Sequence, residues 1–122
     1  MTNIIFIFDK TMLNTKDFTL ITGKITKDAY IEVFPDKKGK VLIIEMSTMK
    51  KFTDPLSGEF KTTYKNYIVK QYMNIKKKEK RTEYLKKGNS LQCMGDLEAV
   101  PYEYQDELKV KYVLKAELIT ML

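Results

Sequence analysis

Met73-Asn-Ile-Lys-Lys-Lys-Glu-Lys-Arg-Thr-Glu-Tyr-Leu-Lys-Lys87, stopped by Gly88, is the stretch on which the fold turns. Ile75, Thr82 and Leu85 share one face at helical spacing while lysines cover the other, which predicts an amphipathic helix ended by the glycine. The flanks read differently. Before it, Ile4 to Phe8 is apolar and β-prone, Phe18 to Gly23 alternates, and Ile31 to Phe34 leads into the turn Pro35-Asp-Lys-Lys-Gly39. Val41 to Ile44 resumes a strand, Thr53 to Gly58 is a loop by its Pro, Ser and Gly content, and Thr62 to Tyr72 is again β-prone. After the helix come Ser90 to Met94, Leu97 to Tyr104 and Lys109 to Leu118. In the last, Val110, Tyr112, Leu114, Ala116 and Leu118 alternate with Lys109, Lys111, Lys115 and Glu117, so one face is buried and the other wet.

Three strands, a helix and then further strands is the order of an OB-type β-barrel, whose surface and loops commonly take oligonucleotides. The expectation is an all-β, five-stranded Greek-key barrel over residues 18–122, with one helix between strands 3 and 4. Residues 1–17 are expected to add an N-terminal extension, an edge strand or an oligomer contact.

At 122 residues the chain is the size of one domain with a real core. Hydrophobic residues at 43% and charged residues at 31% are those of a folded globular protein. No apolar run reaches the roughly 20 residues of a membrane helix, and the start lacks the pattern of a secretory signal. With a single cysteine, Cys93, set among apolar neighbours, the expectation is a buried thiol in a reducing cytoplasm. The chain has no histidine. Zinc sites, Ser-His and Cys-His pairs and the commonest general base are thereby removed, and no Gly-rich phosphate loop precedes a helix. No cofactor, metal or enzymatic activity is expected.

The net charge of +6 is unevenly placed. Lys50 to Lys87 carries twelve basic residues against four acidic ones, whereas the remainder is slightly negative. Such a regional field attracts polyanions and makes their binding salt-dependent. A solvated lysine face would look the same by charge alone, so the placement of aromatic rings has to decide.

Thr19-Leu-Ile-Thr-Gly-Lys-Ile-Thr-Lys-Asp28, Glu83-Tyr-Leu-Lys-Lys-Gly88 with Ser90-Leu-Gln-Cys-Met-Gly-Asp-Leu97, and Val113-Leu-Lys-Ala-Glu-Leu-Ile-Thr-Met-Leu122 stand in an order and spacing that resemble the bacterial and phage single-stranded-DNA-binding protein family. Each motif is short and common; their succession over some 100 residues carries the likeness. The first 17 residues have no counterpart in the family pattern. Ending at Leu122, without the family's flexible linker and acidic tip, the sequence resembles the short type of phages and mobile elements.

The resemblance implies sequence-independent binding of single-stranded DNA in replication or recombination, and assembly as a dimer or tetramer, with replication or recombination proteins as further partners. Aligned through Gly58 and Gly95, the family's stacking positions fall on Phe52, Tyr72 and Tyr102. A fourth falls on Asn66, for which Tyr64 on the same strand face is the substitute. Non-specific binders combine such rings with a cationic groove. Lys50, Lys51, Lys65 and Lys70 are the cations nearest these rings in sequence. Tyr112 is expected in the core, and the helix lysines around Lys78 on a solvated face. The competing readings are an RNA-binding or primosome-type OB protein and an OB adaptor that binds protein.

Overall fold

The computed structural model describes residues 18–122. Five strands dominate: β1 (Phe18–Val33), β2 (Gly39–Thr53), β3 (Phe60–Asn74), β4 (Ser90–Tyr104) and β5 (Glu107–Met121). They close into a barrel in the order β1-β2-β3-β5-β4. All pairings are antiparallel except β3 with β5, which run parallel from Tyr67↔Tyr112 to Lys70↔Lys115. This is the expected OB arrangement, a closed barrel that leaves few edges. The expected strand at Ile4 to Phe8, with the rest of residues 1–17, lies outside the described residues.

Two pairs of expected strands are single long ones. Phe18 to Gly23 and Ile31 to Phe34 merge into β1, which bends through register shifts between Ile25 and Tyr30 and so serves both β4 and β2. Ser90 to Met94 and Leu97 to Tyr104 merge into β4 across a bulge at Met94/Gly95. At Gly95 a Cβ atom would lie 1.9 Å from the Lys115 carbonyl oxygen, so β4 and β5 cross there only because the residue has no side chain. The interior is filled by Ile21, Ile25, Leu42, Ile44, Met46, Val69, Leu91, Cys93 and Leu114. Burial pushes the Cys93 thiol up to about 12, so it stays protonated and inert at neutral pH.

The helix expected between strands 3 and 4 is absent. Residues 75–89 form a loop with one 3-10 turn at Arg81–Glu83. Local side chains capture the backbone first. The Lys76 N–H donates to Asn74 Oδ1 at 2.8 Å and the Arg81 N–H to Glu79 Oε2 at 2.8 Å, contacts that compete with a helical ladder. Other backbone groups are taken by β1: the Leu85 carbonyl accepts from the Ala29 N–H, the Gly88 N–H donates to the Ile25 carbonyl, and the Asn89 carbonyl accepts from the Ile25 N–H. The inward set still faces inward, with Leu85 fully buried as the plug of the barrel and Ile75 and Thr82 half-buried.

Candidate nucleic-acid interface

Beyond the barrel, two hairpins project as arms. The β2–β3 arm is tipped by residues 54–59, where Gly58 takes a φ of +74°. Asp54 pins this tip: its carboxylate meets Lys61 Nζ at 2.7 Å and accepts the Leu56 N–H at 2.9 Å. Both contacts hold its carboxyl below the ordinary value, the Lys61 bond most. The β4–β5 arm turns on Gln105-Asp106, both at positive φ, as a two-residue hairpin requires for strands of right-handed twist.

Alternation sorts each arm into two faces. On β3, Tyr67 and Val69 continue the barrel interior, so Tyr64, Asn66, Ile68, Lys70 and Tyr72 face outward. Across β2 the outward partners of Tyr64 and Thr62 are Met49 and Lys51. Lys50, Phe52, Lys61 and Lys65 lie on the other face, with Tyr67. On the second arm Tyr102 pairs with Lys109 and Val100 with Lys111, outward, whereas Ala99 pairs with Tyr112 on the interior side.

The sequence-derived set is therefore brought together as two groups. Lys51, Tyr64, Lys70, Tyr72 and Tyr102 share the outer surface of β2-β3-β5-β4. Phe52, Lys50 and Lys65 sit on the reverse of the first arm. Tyr64, Tyr72 and Tyr102 are each at least 40% exposed and Phe52 is half-buried. Tyr72 is braced by Phe34, with ring centroids 5.8 Å apart, so its exposed ring is held rather than free to rotate away.

Where the parallel β3–β5 contact ends at Tyr67↔Tyr112, the arms splay and a cleft of about 420 Å³ opens. Asn66, Tyr67, Tyr102, Lys111 and Tyr112 are among its lining residues. Tyr112 is accordingly half-buried beside Tyr67, at a centroid distance of 6.0 Å, rather than in the sealed core. Lysines interleave with these rings: Lys65 Nζ lies 3.9 Å from the Tyr112 centroid, Lys111 Nζ 6.0 Å from Tyr102 and Lys109 Nζ 5.4 Å from Tyr104. Among the described residues, no ion pair involves Lys50, Lys51, Lys65 or Lys70. Their charge is available to an anion. Lys115 is different, since Glu98 at 3.2 Å holds it and raises its pKa.

Tyr67, Tyr112 and Lys111 are the cleft residues that sequence reasoning missed. The alternation of Tyr102 and Tyr104 with Lys109 and Lys111 across one turn was the available signal. No residue pattern marks where two paired strands part, so nothing in the sequence set Tyr67 apart, and Tyr112 read as an ordinary inward position.

The closed 1-2-3-5-4 barrel with two long arms defines an OB-fold protein. Several solved structures share it. The small single-stranded DNA-binding protein from Streptomyces coelicolor superposes with a TM-score of 0.66 at 10% identity, over 85% of this chain and 92% of that one. The Plasmodium falciparum SSB, solved in complex with ssDNA, gives 0.66 at 16% identity over 89% and 96%. The Thermus aquaticus single-stranded DNA binding protein gives 0.57 at 20% identity, covering 84% of this chain and 48% of that one. No family model and no curated protein matches the sequence.

Proposed function

We propose that this chain is a member of the single-stranded-DNA-binding protein family that coats single strands without sequence preference and catalyses no reaction. The observation that carries this reading is the interleaving of exposed rings with unpaired lysines along both arms of an OB barrel. Bases stack on rings whatever their identity, and lysines track phosphates, so the combination suits a free strand and not a duplex. The Plasmodium neighbour, whose barrel matches over nearly its whole length, was solved with ssDNA.

The context we propose is replication or recombination of a phage or mobile genome in a bacterial cytoplasm. A homo-oligomer accompanies it. Leu20, Met94 and Leu118 are register neighbours across β1, β4 and β5 and form an outward apolar row, about half-exposed at Leu20 and Leu118. A contiguous apolar row of this kind suits a contact between copies of the chain.

Titration of labelled oligo(dT), matched oligo(U) and duplex DNA at two salt concentrations tests the reading. Oligo(dT) should bind far more tightly than duplex and weaken steeply with salt. Equal affinity for duplex would reduce the protein to a generic polycation, tighter oligo(U) binding would make RNA the partner, and absence of all binding would favour a protein adaptor.

A further inference from the structure

The Lys65 ammonium on the Tyr112 ring is an incomplete arrangement for a free protein. The lysine is exposed, and among the described residues its ammonium has neither a carboxylate partner nor a hydrogen bond; it faces the Tyr112 and Tyr67 rings, at 3.9 and 5.5 Å. An exposed cation–π contact is weaker than a base stacked on an aromatic ring, and weaker for the lysine than a phosphate. A strand could displace it on both counts.

We propose that the cleft between the arms is a single-base pocket of the DNA site, with Lys65 as a displaceable cover over Tyr112. In the free protein the ammonium occupies the ring face. When a strand enters, the ammonium moves to a phosphate and a base takes its place on the ring. This deepens the proposed DNA-binding function and rests on it.

The remaining lining fits a nucleotide. The volume lies within the roughly 300–1,000 Å³ of small-molecule sites. The Asn66 amide and the Tyr67, Tyr102 and Tyr112 hydroxyls make no hydrogen bond with the described residues, so they are free for base edges. Lys111 is the cation of the cleft wall itself, and Lys65 reaches the site only through the Tyr112 ring. Glu45, the carboxylate of the lining, is engaged by Lys27 at 3.7 Å and by the Tyr30 hydroxyl at 3.5 Å, which blunts its repulsion of a phosphate.

The test is a salt series of oligo(dT) titrations on the full chain. Lys65→Ala loses one phosphate contact, so its salt slope falls by about 0.7 and it binds more weakly than wild type at low salt. At high salt that contact is screened in wild type while the cover remains, so the curves cross and Lys65→Ala binds more tightly. Lys50→Ala, which uncovers no ring, converges with wild type without crossing. Tyr112→Leu binds about 5- to 150-fold more weakly at every salt, and Tyr112→Phe restores most of the loss.

Should Tyr112→Leu fail to fold, wild-type protein irradiated with oligo(dT) carrying one 5-iododeoxyuridine should cross-link at Tyr112. A Lys65→Ala curve that never crosses, a folded Tyr112→Leu that binds like wild type, or cross-links confined to the outer face would each overturn the pocket while leaving DNA binding intact. Loss of oligo(dT) binding by wild type would overturn both.

Discussion

Val69 and Leu114 stand opposite each other in the parallel β3–β5 pairing, and both are fully buried. This short contact closes the barrel, and immediately beyond it the arms part. Packing at this pair therefore contributes to the stability of the domain and lies at the root of the cleft.

Leu114→Ala should cost about 2–5 kcal/mol, the range for truncating a buried leucine whose surroundings relax only partly. A denaturant titration measures it. A loss below about 1 kcal/mol would mean that the barrel closes without this contact.

Two glycines should respond differently to the same change. Gly58→Ala meets no atom within 4 Å but must keep a φ of +74°, so a cost of about 1–2 kcal/mol is expected from the left-handed backbone alone. Gly95→Ala drives a methyl group into the backbone of β5, and should prevent the β4–β5 crossing altogether. Circular dichroism melts of both variants compare them directly; equal melting temperatures would contradict the bulge geometry.

The bulge also explains what could be read in the sequence and what could not. Alternation along Lys109 to Leu118 placed Tyr112, Leu114 and Ala116 correctly on the inner side. It also placed Leu118 there, yet Leu118 is half-exposed and Ile119 and Met121 pack on the core instead. One extra residue opposite Met94/Gly95 exchanges the faces, and no residue type in β5 announces it.

The same limit applies to the loop after β3. Ile75, Thr82 and Leu85 were legible as inward residues because burial is a property of the side chain. Their helix was not formed because Asn74 and Glu79 capture nearby N–H groups and β1 takes others, and such competition depends on the tertiary partner. At the site, the rings and lysines could be named from sequence. Their division between two faces needed the register.

Acid should loosen the loop that holds Leu85. Hydrogen bonds from Arg81, the largest cause, keep the Glu79 carboxyl below its ordinary value of 4.5. A group with a lowered folded pKa stabilises the fold above its unfolded pKa, and that contribution disappears as pH falls through the folded one. Wild-type stability should therefore drop below about pH 4.5, and Glu79→Gln should show a smaller drop between pH 7 and pH 3. Denaturation at the two values tests this; identical drops would leave the ion pair without a role in acid sensitivity.

On the outer surface, rings and lysines should be separable by salt. Tyr72→Ala and Tyr102→Ala each remove a stacking face and no charge, so oligo(dT) affinity should fall by about 1–3 kcal/mol with the salt slope nearly preserved. Lys51→Ala and Lys70→Ala should instead lower the slope by up to about 0.7 each and matter less at high salt, where screening has already removed much of their contribution. The two classes should thus diverge as salt rises. Tyr72 requires a control, because its ring also packs on Phe34 and its loss could disturb β3. Thermal unfolding supplies that control: a Tyr72→Ala protein that melts like wild type and still loses affinity has lost a base contact. Tyr102, at the splayed arm and packed on no other ring among the described residues, is the cleaner probe. If Tyr102→Ala and a stably folded Tyr72→Ala both bind oligo(dT) like wild type, the outer face is not the path of the strand, and the reverse face with Phe52, Lys50 and Lys65 must carry it.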